Sequence, residues 1–137
     1  MDHQQDHCGR DGYVALIDDD EAIRDSLSTL LELHGHRVRA LESAEAFLAE
    51  RDAARAWCLI LDINLPGMSG LELLSRLRAA GDTVPVILVT GRGTPATQTQ
   101  VEALKIVELL EKPVAAANLF AALDRAYGAR GCAPTDK

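Results

Sequence analysis

Aromatic residues are scarce in this chain of 137 residues, at 4% of the total. A chain of this length can bury an ordinary core without disulfides or a structural metal. That core must therefore consist mainly of Leu, Val, Ile and Ala side chains. Hydrophobic and charged residues, at 47% and 26%, lie in the usual range for a globular protein. The length suits one domain and leaves little for a second.

Basic residues are outnumbered by acidic ones. The 14 Lys and Arg residues against 21 Asp and Glu residues give a formal net charge of −7. An extended phosphate-binding surface needs clustered Lys and Arg, and the chain has no DNA-binding motif, so we expect no direct DNA binding. No apolar run approaches the roughly 20 residues that span a bilayer, and no signal peptide precedes the first apolar run. We expect a cytoplasmic protein without membrane contact.

Cysteine and histidine give no metal site. The 3 cysteines are an odd number without metal-ligand spacing, and Cys8 and Cys132 lie near the chain ends. Reduced thiols in a cytosolic protein are the expected state. His3 and His7 lie four residues apart in a Gln-rich stretch, but no Cys or carboxylate cluster completes a site there. This stretch is expected to be a mobile tail.

Short apolar runs alternate with amphipathic segments between residues 12 and 127. The runs predict five strands, at 13–17, 37–41, 58–61, 84–89 and 106–110. Helical spacing predicts five helices. The first runs from Asp20 to Gly35, the second begins at Ser43, and the third follows a loop over 64–70. The fourth covers about 96–104, and the last ends at Gly128. The alternation predicts an α/β domain, a doubly wound (βα)5 parallel sheet covered on both faces. Residues 1–11 and 128–137 are predicted to be polar N- and C-terminal tails.

The ends of the predicted strands carry the chemistry. In parallel sheets ligands bind at the carboxyl ends of the strands, and here those ends hold Asp18 with Asp19, then Asp62, Thr90 and Lys112. Three carboxylates at one edge repel each other unless a cation lies between them. Oxygen ligands without Cys or His favour Mg²⁺ over Zn²⁺. With a lysine and a hydroxyl they predict a site of phosphoryl transfer, in which a carboxylate can itself be the acceptor.

Four strings at these strand ends resemble the signatures of response-regulator receiver domains of two-component signal transduction. They are Ile17-Asp18-Asp19-Asp20, Leu61-Asp62-Ile63-Asn64-Leu65-Pro66-Gly67-Met68-Ser69-Gly70, Val89-Thr90-Gly91 and Glu111-Lys112-Pro113. They stand in the family's order. The spacings, 43 residues from Asp19 to Asp62, 28 on to Thr90 and 22 on to Lys112, also suit the family. The resemblance implies a flavodoxin-like receiver fold over residues 12–127 and a response regulator of the single-domain type.

The resemblance also implies the phosphoacceptor and its metal. Asp62 would take a phosphoryl group from a sensor histidine kinase or a phosphotransfer protein. Asp19, Asp62 and the backbone carbonyl of Asn64 would coordinate Mg²⁺ directly. Asp18 would act on the metal through a bound water. Taken alone, the run from Asp18 to Asp20 could be a helix cap, and only the ordered set of strings favours the metal site.

The remaining implied residues act on the phosphoryl group. Thr90 would move to hydrogen-bond it, and Lys112, placed by a cis peptide bond to Pro113, would pair with it. The surface around residues 90–113 would then shift and be recognised by a downstream protein target. Apart from its own phosphorylation and dephosphorylation, the protein is expected to catalyse no reaction.

Two positions depart from the family's pattern. Many receivers carry an aromatic residue three places before the lysine, where this chain has Leu109, which cannot make the same ring swing. The family's usual Ala-Gly pair before the fifth strand is absent, because Lys105 runs directly into Ile106. We therefore predict an atypical helix over 96–104, partly ordered at best, and an altered route from the site to the surface.

Parts of the sequence also suit three other functions. A degenerate receiver, acting as a phosphorylation-independent interaction module, is opposed by the intact strand-end residues but favoured by Leu109 and by the atypical helix region. A phosphatase of the haloacid-dehalogenase type needs an acid two places after the nucleophile, where Asn64 stands. A nucleotide-binding role has only the lone Gly91-Arg92-Gly93 and no GxxxxGK string. Whether the receiver stands alone or comes from a longer or hybrid-kinase protein stays open.

Overall fold

A computed structural model describes residues 12–50, 56–91 and 104–129. Within these ranges the chain forms five strands and four helices. In chain order they are β1 (Tyr13–Ile17), α1 (Glu21–Leu33), β2 (Val38–Leu41), α2 (Ala44–Glu50), β3 (Ala56–Asp62), α3 (Gly70–Ala79), β4 (Val86–Thr90), β5 (Glu108–Glu111) and α4 (Ala116–Ala129). No helix of the described ranges is long and apolar enough to cross a membrane.

The five strands form one sheet in the order β2-β1-β3-β4-β5, and all neighbouring strands are parallel. This is a doubly wound order, in which the direction of winding reverses between β1 and β3. The predicted α/β sheet is thus confirmed, and the reversal marks the edge at which a ligand site is expected.

Aliphatic side chains fill both faces of the sheet, as the low aromatic content predicts. Along β1, Ala15 and Ile17 belong to the cluster that packs against α2 and α3. Val14 and Leu16 belong to the cluster that packs against α1 and α4. Successive side chains of a strand point to opposite faces, so a strand covered on both sides is apolar throughout, as these runs are.

Several element bounds differ from the predicted ones. β4 starts at Val86 and not at 84, after Pro85, which lacks the N–H that a ladder needs. β3 extends from Ala56 to Asp62, and β5 starts at Glu108 and not at 106. α4 continues through Gly128 to Ala129, because one glycine in a helix costs only about 1 kcal/mol and does not by itself end it. Except for Leu104, the helix predicted over 96–104 lies outside the described residues.

The late start of β5 follows from a turn at Leu104 and Lys105. Lys105 is the one non-glycine residue with a positive φ, 58°, among the described residues. The Arg78 side chain holds this turn by donating to the carbonyls of Leu104 at 2.9 Å and Lys105 at 3.4 Å. It also donates to the carbonyls of Asp82 and Val84, at 3.0 and 2.9 Å. Arg78 thereby ties the end of α3 to the segment that leads into β5.

Candidate functional site

The parallel register brings the first two acidic strand ends together. Ile17, the last residue of β1, lies opposite Leu61 of β3. Asp18 therefore follows β1 directly beside Asp62, the last residue of β3. Both residues are buried, each with 2% exposure. The sheet alone is thus sufficient to place two carboxylates side by side.

The other two strand ends follow from β4 and β5. Thr90 pairs with Glu111 in the parallel register, and the next residue, Lys112, donates its backbone N–H to the Thr90 carbonyl at 2.8 Å. Thr90 is buried, and its hydroxyl donates to the Gly91 carbonyl at 3.1 Å. The peptide bond between Lys112 and Pro113 is cis, which confirms that expectation.

Three carboxylates converge at this edge. Asp18, Asp19 and Asp62 each offer one oxygen, and these oxygens lie within 4.8 Å of one another. Asp19 is exposed, whereas the other two are buried. Burial raises the pKa of Asp18, and the backbone N–H of Asp20 and the Lys112 ammonium oppose that effect. Such a cluster of hard oxygen atoms can hold a divalent cation.

The Lys112 ammonium bridges the two buried carboxylates. Its Nζ lies 2.9 Å from Oδ2 of Asp62 and 3.1 Å from Oδ2 of Asp18. Burial lowers the pKa of Lys112, but the bonds to Asp62 and Asp18 outweigh it, and the net effect raises the pKa. The ammonium is therefore charged at neutral pH and partly neutralises the acidic cluster.

The three consecutive aspartates divide between two tasks. Asp20 is the N-cap of α1, and its Oδ1 accepts from the backbone N–H groups of Ala22 at 2.9 Å and Ile23 at 3.4 Å. Its own N–H donates to Oδ1 of Asp18 at 2.9 Å. Asp20 is therefore a helix cap, while Asp18 and Asp19 belong to the acidic cluster.

The loop after β3 is built tightly around Asp62. The backbone N–H of Asn64 donates to Oδ1 of Asp62 at 2.9 Å, and Gly70 donates its N–H to the Ile63 carbonyl at 3.0 Å. A Cβ atom at Gly70 would lie 2.2 Å from the Asp62 carbonyl oxygen. Only glycine permits α3 to begin this close to the phosphoacceptor candidate.

Glu45 of α2 holds the same loop from outside. Its Oε2 accepts from the backbone N–H of Met68 at 3.0 Å, and that bond lowers the pKa of Glu45. Gly67, with φ of 74°, leaves room for the carboxylate, because a Cβ there would lie 2.8 Å from Oε2. The contact joins residues 23 positions apart, and no local sequence signal indicates it.

Two surface depressions are lined in part by Lys112. One, of about 410 Å³, is mainly apolar and lies between α1 and the segment Lys112–Val114. A larger one, of about 780 Å³, runs along β5 and α4; Lys112 lines it, but none of the three clustered aspartates does. Size therefore does not identify the functional site in this fold, and the convergence of charged groups does.

The sequence also matches a known protein family. The family model of the response regulator receiver domain matches residues 14–124. The chain belongs to this family. It is thus the receiver domain of a two-component response regulator, a signalling module, as the four strings predict.

Named relatives of this receiver are regulators of transcription. It is 36% identical over 115 residues to the transcriptional regulatory protein FixJ of Bradyrhizobium diazoefficiens, covering 84% of this chain and 56% of that protein. It is 40% identical to FixJ of Azorhizobium caulinodans, covering 84% and 54%. The crystal structure of FixJ-N superposes with a TM-score of 0.75 at 35% identity, over 85% of this chain and 94% of that one. The chain spans little more than half the length of the curated relatives it matches.

These relatives correct one expectation. The prediction of no direct DNA binding is wrong, because the similar FixJ proteins are transcriptional regulators. The prediction used the missing DNA-binding motif and the negative charge of this chain. That charge describes only the part of such a protein that the match covers, and it cannot exclude DNA binding by a response regulator.

Proposed function

We propose that Asp62 of this receiver accepts a phosphoryl group in a Mg²⁺-dependent reaction. The observation that carries the proposal is the joint position of three carboxylate oxygens within 4.8 Å and an ammonium 2.9 Å from Asp62. Phosphoryl transfer depends mainly on positioning and on charge neutralisation. This edge of the sheet offers both.

The donor set fits Mg²⁺. Asp19 and Asp62 would bind the ion directly with the backbone carbonyl of Asn64, and Asp18 would act through a water. Mg²⁺ prefers hard oxygen ligands, retains several waters and needs only one or two carboxylates. When bound, it supplies charge neutralisation for the phosphoryl oxygens.

The chain's own residues then perform the transfer. A carboxylate oxygen of Asp62 forms a bond to phosphorus as the bond between phosphorus and the donor's imidazole nitrogen breaks, and the electron pair stays on the imidazole. Lys112 pairs with the phosphoryl oxygens, and the Thr90 hydroxyl leaves the Gly91 carbonyl to donate to one of them. The donor is a sensor histidine kinase or a phosphotransfer protein, and the receiver catalyses no reaction beyond its own phosphorylation and dephosphorylation.

The added charge is the signal. A phosphoryl group brings about −1.5 to −2 charges, which the cation and Lys112 offset, and the surface around residues 90–113 shifts between two populations. Residues 92–103 of that surface lie outside the described ranges. From the names of the relatives we infer that the output of the protein is transcriptional, through the receiver's contact with a downstream protein target or another part of the same protein.

Labelling by acetyl phosphate tests the acceptor. With Mg²⁺ the wild type should gain one phosphoryl group by intact mass spectrometry, and Asp62→Asn or added EDTA should abolish the gain. Asp124→Asn, a change at an exposed residue of α4, is the matched control and should label normally. Stoichiometric labelling of Asp62→Asn would refute the assignment. If the wild type neither labels nor changes its NMR spectrum with Mg²⁺ and beryllofluoride, the degenerate-receiver alternative is correct.

A further inference from the structure

Arg24 of α1 contacts the turn formed by Asp18, Asp19 and Asp20, which connects β1 to α1. Its Nη1 donates to the backbone carbonyl of Asp18 at 2.7 Å, a short bond of the charge-assisted kind. Its backbone N–H donates to the carbonyl of Asp20, the N-cap, at 3.0 Å. One arginine therefore contacts the turn at both sides of Asp19.

Every polar atom of Asp18 is held in place. Its N–H donates to the Leu41 carbonyl at 3.1 Å, Oδ1 accepts from the N–H of Asp20, and Oδ2 pairs with Lys112. The carbonyl oxygen is the remaining atom, and Arg24 holds it. Without that bond the carbonyl oxygen of the peptide unit between Asp18 and Asp19 loses the hydrogen bond that fixes its direction, and the exposed Asp19 that follows it is less restrained.

We propose that Arg24 is a positioning residue for the metal-binding carboxylates. By holding the Asp18 carbonyl it fixes the backbone of Asp19 in the orientation that lets both acids face one cation. The inference rests on the proposed Mg²⁺ site. It concerns a residue that would touch neither the metal nor the phosphoryl group.

The direction in which metal affinity changes when Arg24 is removed distinguishes a positioning role from a purely electrostatic one. Arg24 is a cation on the same turn as a cation site, and like charges repel. If it acted only through its charge, its removal would tighten metal binding. If it positions the turn, its removal weakens metal binding. A residue that served only the stability of the fold would change unfolding without changing the metal affinity of the folded protein.

Metal affinity is measured on the full chain with Mn²⁺, by the EPR signal of the free ion, and with Mg²⁺ as competitor. The variants are Arg24→Met and Arg24→Gln, and the control is Arg37→Met, which removes an equal charge at an exposed residue that precedes β2, at the opposite end of the strands. We expect the dissociation constant to rise on the order of tenfold in Arg24→Met, as for other residues that orient metal ligands. The control should stay within twofold of the wild type.

Far-UV circular dichroism establishes that each variant is folded. Arg24→Gln keeps a short amide donor, so it carries the comparison if Arg24→Met unfolds, and a several-fold weaker affinity is expected. An unchanged or tighter affinity in the folded Arg24 variants overturns the proposal while leaving the metal site intact. Failure of the wild type to bind Mn²⁺, failure of Mg²⁺ to displace bound Mn²⁺, or equal binding by Asp62→Asn overturns the metal site itself.

Discussion

Replacing Lys105 with glycine tests whether the turn before β5 is strained. A residue with a Cβ pays about 1–2 kcal/mol in the left-handed region that Lys105 occupies at φ of 58°. Glycine removes this cost but gains freedom in the unfolded chain, which offsets about 0.5–1 kcal/mol. The Lys105 side chain is exposed, so its loss removes little packing. We expect Lys105→Gly to raise the free energy of unfolding by about 0.5–1 kcal/mol.

The assay is urea unfolding followed by far-UV circular dichroism, with thermal unfolding beside it. A gain of this size corresponds to a rise in Tm of about 2–4 °C for a domain of this length. Lys105→Ala keeps the Cβ and the strain, so it should match the wild type and control for the loss of the side chain. Gly81→Ala makes the opposite change, at φ of 86° with open space around a Cβ, and should lose about 1 kcal/mol.

Two results would show that the reasoning is wrong. If Lys105→Gly unfolds at the same or lower urea concentration while Gly81→Ala loses stability, the turn carries no strain of the stated kind. If Lys105→Ala gains as much as Lys105→Gly, the gain comes from removing the lysine side chain and not from relief of the backbone.

Three further changes test the packing around the acidic cluster. Gly70→Ala should destabilise the domain by at least about 2 kcal/mol and abolish acetyl phosphate labelling, because the added Cβ meets the Asp62 carbonyl oxygen at 2.2 Å; a stable, labelled variant would contradict this. Glu45→Ala should lose about 1 kcal/mol in urea unfolding through the bond from the Met68 N–H, whereas Glu45→Gln should retain most of it. Lys112→Met should lower the free energy of unfolding by up to about 3 kcal/mol, the low end for a broken buried ion pair, because the lysine side chain is 25% exposed. Millimolar Mg²⁺ should restore part of that loss in the same urea assay.

The sheet and the acidic cluster could be predicted from the sequence because one physical rule connects them. Central strands of a parallel sheet covered on both faces are apolar, so a charged residue marks the end of such a strand. Asp62 directly follows the apolar run 58–61, and Lys112 lies two residues after the mostly apolar run 106–110. The parallel register then brings their side chains within 2.9 Å. Here the pattern of residue types was sufficient.

The supporting contacts could not be predicted in the same way. Arg24 and Glu45 bind backbone atoms, and any residue type presents the same carbonyl or N–H, so no partner stands out in the sequence. The absence of glycine before β5 was visible and indicated an altered helix. That helix, except for Leu104, lies outside the described residues. At the turn before β5, Lys105 adopts the left-handed conformation itself, with Arg78 on the adjacent carbonyls, a solution that depends on tertiary contacts.

The position of β5 gives the Lys112 bridge a mechanical meaning. Within the described ranges, β5 is one of the two edge strands of the sheet and pairs with β4 alone. The residue after its last position is Lys112, whose ion pairs fasten that end of the strand to the centre of the sheet. A change in the charge of Asp62 therefore alters the ion pairs by which the Lys112 side chain holds the end of β5. If Asp62 is phosphorylated as proposed, a change at this edge of the sheet would therefore require no rearrangement of the aliphatic core.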